Sequence, residues 1–198
     1  MNIPLSWLKD FVDVDLPLEE LARVMTMAGL EVDEIHLMGL PGPEDDRHGF
    51  KFTGLSWPED KFVVAEIREV NKHPDADKLV LCRLEDGTGE HTILTGAPNL
   101  YPYVGKGRLE QPIKVAYARE GAILYDGHKP GFELTKLKKT KIRGFETKSM
   151  VCSAKELGIS EEHEGIIILE PDAPTGVPLA RYMGDAVFMI DILPNMAR

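Results

Sequence analysis

Five short runs of β character constrain this chain more than any other feature: FVVAEIREV (62–70), KLVLCRLED (78–86), HTILTG (91–96), IKVAYA (113–118) and GIIILE (165–170). Between them HPDAD, DGTGE, GAPNLYPYVGKG and REGAILYDGHKPGFE supply turn chemistry. About five short strands separated in this way predict a small barrel or sandwich. At 198 residues the chain has room for one domain or two small ones, and either is large enough to bury its own core.

What flanks the β runs is different in kind. Pro4 suits a first helical position, with Leu5, Leu8, Phe11 and Val12 on one face and Trp7 packed beside them. A second helix opens at Pro17 with Glu19 and Glu20 in its first turn. It carries the stripe Leu18, Leu21, Ala22, Met25 and Ala28, and ends at Gly29 as a left-handed cap. The next segment, LEVDEIHLM, alternates imperfectly, which predicts a strand with a bulge. Helix, helix and strand make a unit too small to bury its own face. Residues 41–60, rich in Pro, Gly and acidic side chains, read as a loop or linker. Toward the end SAKELGI reads as helix-like and DAPTGVPLARYMG as a surface turn. DAVFMIDILPNMAR is apolar on both alternating faces, as in a central strand. That strand, near Val187 to Leu193, is expected to pair with the one near Leu30 to Leu37.

Charge narrows the function. With 23 basic against 33 acidic residues the net charge is −10, so a polyanion is repelled by the surface as a whole and any nucleic-acid contact needs a local basic patch. One exists: LTKLKKTKIRG holds Lys136, Lys138, Lys139, Lys141 and Arg143, flanked by Lys129 and Lys148. It reads either as a solvated edge that lysines guard against aggregation or as a groove that tracks phosphates. Only Phe132 and Phe145 lie nearby, too few for a stacking platform. The two cysteines, Cys82 and Cys152, are far apart and form no metal or disulfide pattern; both sit among apolar neighbours and are expected to be reduced and buried. Cys152 reads as a small buried hydrophobe beside a capping Ser153, with a nucleophile as the competing reading. His73 before Pro74 reads as a turn residue, with a metal ligand beside Asp75 and Asp77 as the competing reading. His163 sits in an exposed acidic run. GAPNL matches no phosphate-loop or dinucleotide fingerprint. No set of residues supplies nucleophile, base and oxyanion donor together, so taken alone the chain reads as a binding unit without a catalytic or metal site. No apolar run approaches the roughly 18 to 20 residues that span a bilayer, and Trp7, Lys9 and Asp10 break any signal-peptide stretch, so the expected compartment is the cytoplasm and no membrane is expected.

Three segments taken together, IPLSWLKDFV, HPDADKL and KIRGFETKSMVCSAKELGI, resemble the N-terminal part of the bacterial phenylalanine-tRNA ligase beta-subunit family. The last two alone would fit any protein with the related tRNA-binding oligonucleotide-binding domain, including free-standing tRNA-binding or secretion-chaperone proteins; the opening motif and IDILPN select the beta subunit. The resemblance implies an α+β fold with an all-β insert, in which a five-stranded oligonucleotide-binding (OB) barrel is set into a small split domain. Residues 1–40 and 183–198 would form the split domain, truncated at its C-terminal end, and residues 41–182 the barrel with its preceding linker. It further implies tRNA and an alpha subunit as partners, in an assembly of two alpha and two beta chains. ATP and Mg would serve the intact enzyme, with no cofactor and no aminoacylation activity in this fragment. The nucleic-acid face it implies combines Lys78, Asn99, Lys141, Arg143, Thr147, Ser149, Met150 and Ser153. Two departures stand out: Ser149 replaces the family's glycine, adding a side chain where the backbone was bare, and LYDGHKPGFELTKLKKTK is longer than the common family loop. A free-standing tRNA-binding or secretion-chaperone barrel that needs no alpha partner, and a small hydrolase using Cys152, are the alternatives.

Overall fold

The computed structural model describes residues 1–43 and 49–192. The linker residues 44–48, Leu193 and the rest of the LPN motif lie outside them. The chain divides into two compact units, residues 1–56 with the segment from Gly184 onward, and Trp57–Met183.

The first unit contains β1 (Asn2–Pro4), α1 (Leu5–Lys9), α2 (Leu18–Met27), β2 (Val32–Gly39) and β3 (Lys51–Ser56). The second contains β4 (Phe62–Lys72), β5 (Val80–Glu85), β6 (Glu90–Thr95), a 3-10 helix (Pro98–Tyr103) and β7 (Arg108–Ala118). It continues through β8 (Ile123–Tyr125), β9 (Leu134–Lys136), β10 (Thr140–Ile142), β11 (Phe145–Thr147), β12 (Met150–Val151) and α3 (Leu179–Met183). The chain then returns to the first unit as β13 (Asp185–Ile190).

In the first unit the four strands run β1-β13-β2-β3. The two apolar segments pair antiparallel as expected, with Val187 opposite His36 and Phe188 opposite Ile35. The bulge is also present: pairing steps from Glu34 opposite Met189 to Val32 opposite Ile190, leaving Asp33 unmatched. Leu21, Ala22 and Met25 of α2 pack with Ile35, Leu37, Phe188 and Ile190 in one core, and Gly29 closes the helix at φ +97°.

Two expectations fail in this unit. Residues 51–56 are not loop: β3 pairs parallel with β2, Phe52 opposite Ile35 and Leu55 opposite Met38. The strand is hidden in sequence by Gly54, which sits at φ +89° against β2, where a Cβ would meet the Leu37 carbonyl oxygen at 2.0 Å. The first helix stops at Lys9, so Phe11 and Val12 never join its buried face. Trp7 is 53% exposed and Phe11 70%, and their rings meet edge to face at 5.2 Å.

The second unit is a five-stranded antiparallel sheet in the order β12-β7-β4-β5-β6 whose edge strands β12 and β6 approach each other, giving a nearly closed barrel of OB-like form. Inward residues at every second position, Val63, Ala65 and Ile67 on β4, Val80, Cys82 and Leu84 on β5, Val115 and Tyr117 on β7, fill its core. The fifth strand is not GIIILE. Met150 and Val151 take the free edge of β7 opposite Ala118 and Tyr117. That leaves 165–170 a single bridge, Ile168 to Val115. SAKELGI is a turn rather than a helix, and the DAPTGVPLARYMG segment contains the short α3, whose Leu179 is fully buried.

Candidate nucleic-acid interface

The basic run becomes two small hairpins outside the barrel sheet. β8 pairs with β9, Leu124 opposite Thr135, and β10 with β11, Thr140 opposite Thr147. Arg143 and Gly144 form the turn of the second hairpin, both in the left-handed region at φ 48° and 90°, the conformation that a two-residue turn matching the strand twist requires.

Strand alternation then sorts the side chains. Thr140, Ile142 and Thr147 line a groove of about 460 Å³, whereas Lys141, opposite Glu146, is not among its lining residues. The groove's apolar surface comes from Leu79, Leu94, Leu124, Leu137, Ile142 and Met150. Lys138 and Lys148 line it as well, together with His128, His163 and the carboxylates of Asp126, Glu156 and Glu164. Three cations of this region are held by carboxylates: Lys129 by Glu133 at 2.7 Å, Lys139 by Glu146 at 2.8 Å and Lys148 by Glu120 at 3.6 Å. Lys136, Lys138, Lys141 and Arg143 have no ion pair among the described residues, and Lys141 and Arg143 are exposed.

Of the eight residues singled out in the sequence, Thr147, Ser149, Met150 and Ser153 line the groove; Lys78, Asn99, Lys141 and Arg143 do not. Lys78 is exposed in the β4–β5 turn, near Gly96 of the groove, since the Tyr101 hydroxyl donates to the carbonyls of both at 3.0 and 3.3 Å. Asn99 works as a clamp: its Nδ2 donates to the Ile166 carbonyl at 2.8 Å and its Oδ1 accepts the Ile166 N–H at 3.3 Å. Ser153 is buried and closes a reciprocal cap with Glu156, whose Oε2 accepts from the Ser153 N–H at 2.6 Å and from its hydroxyl at 2.9 Å. Burial raises the Glu156 carboxyl above its ordinary range, against those hydrogen bonds. Ser149 Oγ accepts from the Tyr117 hydroxyl at 2.7 Å.

Thr135, Leu137, Lys138, Thr140 and Ile142 are the residues of the basic run that line the groove, and the sequence alone did not separate them out. The signal was alternation within a run read only for its charge. A second feature, legible only in three dimensions, lies behind Tyr117. Its ring stacks on His91, and His91 Nε2 lies 3.1 Å from Asp86. Asp86 is buried; burial alone would raise its carboxyl, but hydrogen bonds from Thr88, Arg119 (2.8 Å) and His91 outweigh it and hold the group well below the carboxylate range.

Cys152 and His73, the residues of the competing chemical readings, are both buried. Cys82 and Cys152 are free and buried; burial pushes the Cys82 thiol up to about 12, and burial followed by the Glu156 charge raises Cys152 well above the usual thiol range. A thiol held protonated is a poor nucleophile. His73 is a turn residue: its Nδ1 accepts the Asp75 N–H at 3.0 Å and its ring stands edge-on to Phe145 at 5.0 Å, linking the turn to β11. Among the described residues no group of three His, Cys, Asp or Glu side chains gathers to hold a metal, and no helix is long and apolar enough to cross a membrane.

A barrel of this form with a basic appendage defines a class, and the comparisons agree: residues 62–111 match the family described as "Putative tRNA binding domain". Along nearly its whole length the chain is similar to phenylalanine-tRNA ligase beta subunits. It is 42% identical to the one from Dehalococcoides mccartyi over 98% of this chain, 39% to that from Protochlamydia amoebophila over 99%, and 41% to that from Geobacter metallireducens over 100%. It spans about a fifth of the length of these curated relatives, 21% in each case. A solved structure of a MetRS related protein from Pyrococcus horikoshii aligns with a TM-score of 0.40 and 19% identity, over 60% of this chain and 88% of that one.

Proposed function

We propose that this chain supplies the tRNA-binding module of a phenylalanine-tRNA ligase that charges tRNA with phenylalanine at the expense of ATP. The module is non-catalytic: it holds RNA, while ATP and magnesium are used by the alpha subunit of a cytoplasmic assembly of two alpha and two beta chains. The observation that carries the binding role is the contrast between paired and unpaired cations. In a chain of net charge −10, Lys136, Lys138, Lys141 and Arg143, on the two hairpins and the link between them, have no carboxylate partner among the described residues. Unpaired cations release counterions from a phosphate backbone at no cost in broken ion pairs.

Few such positions against an acidic background give weak, salt-sensitive and structure-tolerant binding, micromolar or weaker. The test is tRNA affinity at two salt concentrations for the wild type and for the double variant Lys141→Ala, Arg143→Ala. Weaker binding and a salt slope flatter by about one unit per lost phosphate contact are expected. Identical affinities and slopes would mean the lysines only solvate an edge. Co-purification of a tagged chain with the alpha subunit tests the assembly.

A further inference from the structure

We infer that the groove beside the β10–β11 hairpin receives one unpaired, unstacked nucleotide of the bound RNA, its base against the apolar surface and its phosphate on Lys138. The inference rests on the tRNA-binding reading and adds which state of the RNA is recognised.

Three observations meet here. A volume of about 460 Å³ lies within the range of small-ligand sites, roughly 300 to 1,000 Å³. It is too confined for a duplex, whose bases are stacked and paired. Its surface is mostly aliphatic, from Leu79, Leu94, Leu124, Leu137, Ile142 and Met150, and a desolvated base edge or face is the flat, weakly polar body such a surface favours. Lys138 lines the groove and has no ion pair among the described residues, whereas the other lining lysine, Lys148, is held near Glu120 at 3.6 Å.

The occupant thus combines an apolar plate with an anion one side-chain length away, and a nucleotide has that chemistry. A purine covers more of that apolar surface than a pyrimidine, which favours adenine over uracil. The hydroxyls of Thr147 and Ser153 already donate, to the Ser149 carbonyl and to Glu156, and the Ser149 hydroxyl accepts from Tyr117. Selection by the groove is therefore by size rather than by a full hydrogen-bond pattern.

The test uses the full chain with three RNAs: a six-nucleotide oligoadenylate carrying one 2-aminopurine, the matching oligouridylate, and a blunt duplex. Gly96→Leu fills the groove from one wall, at a position with ordinary φ, and Thr140→Met fills it from the hairpin. Fluorescence of buried Trp57 confirms folding of each. Oligoadenylate binding with a rise in 2-aminopurine emission is expected. On the order of tenfold weaker oligoadenylate binding is expected in either filled variant, the scale of losing one base contact, with duplex binding unchanged. Lys138→Ala should weaken the single strand and flatten its salt slope. Wild-type affinity for oligoadenylate in both filled variants, or equal losses for single strand and duplex, overturns the inference. If Lys141→Ala, Arg143→Ala still weakens tRNA, the binding module survives that result. Absence of binding to any RNA by the wild type overturns both.

Discussion

Replacing Asn99 by alanine separates a structural role from an RNA-contacting one. Its amide makes two hydrogen bonds to one residue, donating to the Ile166 carbonyl at 2.8 Å and accepting from the Ile166 N–H at 3.3 Å. Ile166 is buried in the barrel core in a segment held to β7 by a single bridge. Each net hydrogen bond contributes about 0.5–1.5 kcal/mol, and an acceptor or donor left unsatisfied adds to the loss. The site is only partly buried, so the sum is about 2–3 kcal/mol, a fall in Tm of roughly 5–10 °C for a chain of this size. Asn99→Asp keeps the acceptor, loses the donor and faces a carboxylate with a carbonyl, and should be at least as destabilised. The assay is denaturant unfolding followed by Trp57, which is buried in the same unit and donates to the Leu157 carbonyl at 3.2 Å, in a Trp7→Phe background. Wild-type stability in Asn99→Ala combined with lost tRNA binding would refute the clamp and return Asn99 to the RNA-binding face.

Arg143→Gly should relieve the left-handed strain at φ 48° by about 0.5–1 kcal/mol net of the extra flexibility of glycine, read as slower amide exchange across Thr140 and Thr147; faster exchange would contradict it. Native-state thiol labelling should proceed only through unfolding at both Cys82 and Cys152, so rapid labelling of either at neutral pH would show the thiols accessible. Glu66 should make stability depend on acid. Burial works against its ionisation, but bonds from Lys114 (2.6 Å), Arg68 and Thr175 outweigh it and lower the carboxyl to about 2. With the folded value below the unfolded one near 4.5, the contribution is full above the unfolded value and is lost as pH falls toward 2. Glu66→Gln should therefore lose on the order of 2 kcal/mol at pH 7 and little at pH 2; an equal loss at both would refute the charge-based account.

Much of the local structure was legible because it depends on near neighbours in the chain. The apolar stripe at Leu21, Ala22 and Met25, the cap at Gly29 and the broken alternation around Asp33 each leave a periodic trace over a few residues. The candidate site was legible as a charge run, and its motif segments do converge in part, since Thr147, Ser149, Met150 and Ser153 line one groove. It was not legible which lysines face that groove. The answer turns on where the chain switches faces: Leu137 and Lys138 both line it, whereas beyond them Thr140 and Ile142 do and Lys141 does not.

By itself, the sequence determined the class of fold, since four of its five β runs are barrel strands, and three motif segments carry the likeness to the beta subunits without reference to any contact. Only the tertiary structure decided strand membership. GIIILE has the stronger β composition, yet Met150 and Val151 hold the β7 edge at Ala118 and Tyr117, leaving Ile168 one bridge to Val115. Likewise β3, poor in β signals, pairs because β2 offers it an open edge and Gly54 permits the approach. A backbone edge offers one set of donors and acceptors, so a strand exists where a partner is free to receive it, and that competition between distant segments is written in no local pattern.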